Sequence, residues 1–219
     1  MLISHARTFV FIHIYRTGGT SVTSALVRYA RLRDQLADRF YVSRGMINVV
    51  SSAFDLFDDG NRWFKGIHKH ATALQARYYL GADTWSKYVS FAFVRNPWDW
   101  QVSIYRYIKQ TRAHQKHRLA NTLSFSKFLE HEIAANAVCQ LDFLKDEQGH
   151  VIVNTVGRFE SLQQSLNAIA LRVNVPRMKL DHLNSSDRDS GYRAYYDSAS
   201  ARLVENHFRQ DVEYFGFTF

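Results

Sequence analysis

A chain of 219 residues that is 46% hydrophobic and 15% aromatic can bury one sizeable core, which excludes a disordered chain. Its 28 Lys and Arg against 20 Asp and Glu leave a net charge of +8, suited to polyanionic partners: nucleotides, acidic glycans, nucleic acid or an anionic membrane surface. The single Cys139 excludes an internal disulfide and fits a reducing, cytoplasmic setting, while no apolar run approaches the ~20 residues of a membrane span.

Met1 to Thr8 is too short and too polar for a signal segment, and the expectation is a soluble chain. With two prolines, no repeat and no low-complexity stretch, residues 1–219 read as a single domain. Phe9 to Ile14 is an apolar, β-branched run of the kind that forms a buried parallel strand. It leads through Arg16, Thr17, Gly18, Gly19, Thr20 and Ser21 into a helical pattern from Val22 to Leu36. Amides at a helix N-terminus have no intrahelical partner and sit at the positive end of the helix dipole, so this loop suits phosphate or sulfate. Gly18 and Gly19 let the backbone approach the anion; the hydroxyls of Thr17, Thr20 and Ser21 and the guanidinium fork of Arg16 add donors.

The segment 41–64 reads as short elements and loop. His68 and His70 then stand two apart, a spacing that puts both imidazoles on one side of an extended segment. His-x-His is a metal-ligand spacing, but nothing nearby supplies third and fourth ligands, so no metal is expected. Thr72 looks like the cap of a helix through Leu80 that Gly81 closes. Tyr88 to Val94 is the second strand, and Pro97 opens a helix to about Thr111. Arg95 falls at that strand end, where a parallel sheet places its ligand crevice, and Ser103 follows eight residues later. A salt bridge to an acidic neighbour is the competing role for Arg95.

Residues 106 to 118 carry five Lys and Arg and no acid, a patch that could steer an acidic substrate. Helical pieces are expected at Ser124 to Ala135, Val138 to Leu144, Leu162 to Arg172 and Ser198 to Gln210, and a strand at Val151 to Val156. Leu183 to Tyr192 reads as a loop with Arg188 and Arg193 available to a ligand, and the aromatic tail Tyr214 to Phe219 should cover part of the core. Alternating strands and helices point to an α/β fold, three layers around a mainly parallel sheet.

IHIYRTGGTS, KHATA, FAFVRNPWDWQVSIY, VGRFESL and the closing YRAYYDSASARLVENHFRQDVEYFGFTF together resemble the sulfotransferase family whose animal members sulfate glycans. The resemblance spans nearly the whole chain and rests on motif order. It implies a P-loop NTPase-like sulfotransferase fold and 3′-phosphoadenosine 5′-phosphosulfate as sulfate donor, with no metal. It places the 5′-phosphosulfate on Arg16 to Ser21 and the 3′-phosphate on Arg95 and Ser103. His70, with His68 in reserve, becomes the base that deprotonates an acceptor hydroxyl on a glycan or lipid-linked sugar. Relatives carry Pro-Lys where this chain has Tyr15-Arg16, which keeps the charge but not the compact ammonium. Two rivals stand beside this reading. A P-loop kinase requires G-x-x-x-x-G-K-[ST], which is absent, and a non-catalytic polyanion binder would use the +8 charge without a nucleic-acid fingerprint.

Overall fold

The computed structural model describes residues 1–31, 34, 68–180 and 191–219. The expected loop at 41–64, most of that at 183–192 and the candidate Arg188 lie outside the described residues. Four strands form one sheet in the order β1 (Leu2–Ser4), β2 (Phe9–Ile12), β3 (Val89–Val94) and β4 (Thr155–Arg158). The pair β1 and β2 is antiparallel, with Leu2 opposite Phe11; β2 with β3 and β3 with β4 are parallel, with Phe9 opposite Val89 and Phe91 opposite Thr155. Among the described residues the helices are α1 (Gly19–Leu26), α2 (Ala73–Leu80), α3 (Ala82–Lys87), α4 (Pro97–Gln110), α5 (His117–Thr122), α6 (Phe125–Ala134), α7 (Leu162–Arg172), α8 (Ser198–His207) and α9 (Arg209–Phe215). The fold is α/β around a mostly parallel sheet, as expected. Among the described residues no helix is long and apolar enough to cross a membrane.

Both faces of β2 are buried, which is why its sequence is apolar without alternation. On one face Phe9, Phe11, Phe91 and Phe93 pack with Val22 and Leu26 of α1 and Leu166 and Ile169 of α7, the rings of Phe11 and Phe91 stacking 5.3 Å apart. The described residues group into two units, one drawn from Met1–Val94 with Phe143–Leu183, the other from Arg95–Asp142 with Asn184–Phe219. In the first unit Thr72 and Gln75 close a reciprocal capping box on α2, and Gly81 ends that helix at a φ of 79°. In the second, the Asn96 side chain caps α4 by accepting from the Trp98 amide at 3.1 Å, and Pro97 fills the first helical position. Its interior holds Trp100, Phe128, Leu129, Val204 and Phe208.

Several boundaries differ from the sequence reading, each for a local reason. The third expected strand starts at Thr155 rather than Val151. Asp146 ties a turn by accepting from the amides of Gln148 and His150, and Asn154 uses its side chain to bind Ser90, so the ladder begins one residue later. Residues 138–144 contain only a single 3-10 turn at Leu141–Phe143, because Asp142 and Asp211 take the amides of Cys139, Gln140 and Leu141. The first helix starts at Gly19 and passes into a 3-10 turn at Val27–Tyr29, after which Ala30 is extended. The last expected helix is two, interrupted at Phe208. In the tail Phe217 is buried, and Phe219 sets its ring against Trp98 and Tyr196.

Candidate functional site

Beyond Ile12 the chain leaves the sheet, and four residues later it enters the left-handed region twice, at Arg16 (φ 61°) and Gly18 (φ 82°). A side chain at positive φ is uncommon, and holding Arg16 there costs on the order of 1 kcal/mol or more, a strain that concentrates at binding loops. The two glycines are dictated from within the fold. A Cβ on Gly18 would stand 2.6 Å from Leu162 Cδ2, and one on Gly19 would stand 2.0 Å from the His13 ring. The first intrahelical hydrogen bond of α1 runs from the Val22 amide to Gly18 O at 3.2 Å, so the amides of Gly19, Thr20 and Ser21 precede it. No side chain caps this end, and no acid lies in its first turn. That is the electrostatic profile of an anion cradle. The Thr17 hydroxyl is turned inward, donating to Ile14 O at 2.8 Å and tying the loop. Thr20 is exposed and Ser21 half-buried on the first turn.

The two histidines of the His-x-His pair have different hydrogen bonds, and these fix their tautomers. His70 Nδ1 lies 2.8 Å from the carbonyl oxygen of His13; a carbonyl only accepts, so Nδ1 carries the proton and Nε2 the lone pair. His68 Nδ1 accepts from the His70 amide at 3.1 Å, so its neutral ring carries the proton on Nε2. Burial lowers the His70 pKa to about 4, against the bond to His13, which raises it; positive charge from the N-terminal amine and Lys69 lowers it further. His70 is therefore a neutral imidazole across the physiological range.

His13, which carries no motif of its own, and Tyr15 of the Tyr15-Arg16 pair both touch this corner. The His13 ring stacks on Phe11 at 5.6 Å and meets the His70 ring edge to face at 4.8 Å. The ring also lies against Gly19, so one side chain touches both the anion loop and the candidate base. Tyr15 sets its ring 5.9 Å from His70 and 5.8 Å from Phe143. The signal for His13 was present: it is the one strongly polar residue in an apolar strand run.

The second unit holds the other candidates. Arg95 follows β3 directly and is buried, with Nε donating to Asp99 Oδ2 at 2.7 Å. The acidic neighbour is thus a real partner, and it orients the guanidinium plane. Gln140 pairs with the Arg95 backbone in both directions, its amide nitrogen on Arg95 O and its oxygen on the Arg95 amide, each at 2.8 Å. The fully buried Asp211 of α9 in turn accepts from the backbone amides of Gln140 and Leu141 at 2.8 Å. Ser103 is buried on α4. Gln140 and Asp211 had no sequence signature, since only the tertiary fold brings 95, 140 and 211 together.

A family model described as the sulfotransferase family matches residues 1–218. The chain belongs to the sulfotransferase family. No curated protein and no solved structure matches it. Membership makes it a transferase of sulfuryl groups to an acceptor hydroxyl, and a sulfuryl donor is an anion. The N-terminus of α1 has no side-chain cap and no acid in its first turn, and Arg16 precedes it.

Proposed function

We propose that this sulfotransferase moves a sulfuryl group from 3′-phosphoadenosine 5′-phosphosulfate to a hydroxyl on a glycan or other carbohydrate-containing acceptor. The observation that carries the reading is His70: a neutral imidazole with its lone pair on Nε2, one ring away from an uncapped helix N-terminus. The residues fit the donor chemically, since Arg16 supplies a cation and the first turn of α1 carries neither an acid nor a side-chain cap. The donor supplies a sulfuryl group whose S–O bond to phosphate breaks as a bond to the acceptor oxygen forms, leaving adenosine 3′,5′-bisphosphate. His70 takes the acceptor hydroxyl proton at Nε2. Arg16 and the amides of Gly19 to Ser21 neutralise the charge that gathers on the leaving phosphate. Arg95 and Ser103 are assigned to the 3′-phosphate, with Arg188 as a further donor-binding residue.

Calorimetric titration separates this reading from its rivals: adenosine 3′,5′-bisphosphate is expected to bind and ATP is not. Labelled donor incubated with a panel of glycans and lipid-linked sugars then identifies the acceptor. Arg16→Ala should lower turnover by about 10²–10³ if it acts as a preorganised charge stabiliser. A normal rate in that variant, or equal binding of ATP, would overturn the proposal.

A further inference from the structure

We propose that His13 is an additional ligand-binding residue of this loop, a neutral imidazole whose Nε2–H donates a hydrogen bond to the anionic group held at the N-terminus of α1. The inference rests on reading the loop as the phosphosulfate cradle. His13 is only 3% exposed, and its Nδ1 is buried with no hydrogen-bond partner. Packing alone does not call for a polar atom here: the ring lies on Phe11, and a phenylalanine would fill the same place without leaving a nitrogen unpaired.

The tautomer follows from where the unpaired atom sits. With the proton on Nδ1, the fold would bury an N–H donor with no acceptor, the rarest kind of orphan; with the proton on Nε2 it buries only an unused acceptor. His70 does not relieve Nδ1, because no hydrogen-bonding atom of that ring lies within reach of it and the two rings meet edge to face. The proton is therefore on Nε2. That nitrogen lies 2.1 Å from where a Gly19 Cβ would stand, against the first residue of α1. Glycine at 19 makes room for the imidazole, and the imidazole adds a side-chain donor beside three backbone donors. Burial and the positive charges nearby keep the ring uncharged, its pKa lowered to about 2, so the residue supplies direction without a second cation next to Arg16.

The test combines tautomer and binding on the full chain. ¹⁵N spectra of the imidazoles should show His13 protonated on Nε2 and unprotonated on Nδ1, with the Nε2–H resonance shifting when adenosine 3′,5′-bisphosphate is added. His13→Phe should weaken binding of that nucleotide by about ten- to a hundred-fold, the loss expected for a hydrogen bond to a charged group. His13→Gln, whose amide nitrogen reaches the place of Nε2, should recover most of it; His13→Asn, whose nitrogen falls near Nδ1, should not. Wild-type affinity in a folded His13→Phe protein overturns the inference and leaves the loop reading intact. An Nδ1–H tautomer that ignores the ligand overturns it without any variant. Failure of the wild type to bind the nucleotide overturns the loop reading and this inference with it.

Discussion

His68 and His70 have the same chemistry and opposite tautomers, because one ring nitrogen of each is committed to a different backbone group. His70 gives its Nδ1 proton to a carbonyl; His68 receives an amide proton at Nδ1. Only His70 can take up a proton at Nε2 from its resting tautomer. His70→Ala should lower turnover by about 10²–10⁴, the usual contribution of a general base, with His68→Ala close to wild type. The lowered pKa adds a signature: the neutral base is lost only as pH falls through about 4, so turnover should rise with pH through that value and stay flat towards neutrality. A pH–rate profile checks this, and an ascending limb in wild type that disappears in His68→Ala would instead assign the base to His68.

At the scale of elements, two strand ends each deliver a cation, and each is braced differently. Arg16 is held by a loop in left-handed conformations; Arg95 is held by Gln140, which takes its backbone amide and carbonyl as a neighbouring strand would. Gln140→Leu removes both of these buried hydrogen bonds, each worth about 0.5–1.5 kcal/mol. It should therefore lower the melting temperature and weaken adenosine 3′,5′-bisphosphate binding more than it lowers turnover at saturating donor. Equal losses in affinity and turnover would count against a bracing role confined to donor binding. Much of this architecture was readable beforehand. The runs at Phe9 and Tyr88 announced strands, Thr72 and Asn96-Pro97 announced helix starts, and Arg16, Arg95 and the His-x-His pair stood out as charged or titratable residues next to those boundaries. What escaped was of two kinds. Three-residue β1 and six-residue α3 and α5 are too short to show a period. His13, Gln140 and Asp211 matter because of partners distant in sequence or in a neighbouring turn, which local spacing does not encode.

The whole molecule has an interleaved chain: residues 95–142 leave the first unit after β3, and the chain must return before β4 can join the sheet. The β3–β4 pairing therefore closes a loop that contains a large part of the second unit, and that closure costs less entropy when the intervening chain is itself folded. We propose that the two units fold as one cooperative domain, and acid gives the sharpest test. In the first unit burial holds His13 and His70 at about 2 and about 4, below the ordinary 6.5. The unfolded chain then binds more protons than the native one below 6.5, so their contribution to stability is complete above that pH and is lost as pH falls. In the second unit Asp211 runs the other way, its pKa raised by burial from 3.8 to about 6, so its contribution is present at low pH and is lost as pH rises through about 6. Between pH 6.5 and 4 protons thus weaken one unit and strengthen the other. Scanning calorimetry across that window should show a single transition whose midpoint drops as pH falls, since two depressed histidines outweigh one raised carboxyl. A thermogram that splits into two peaks near pH 5 would show that the units melt separately and would overturn the single-domain proposal.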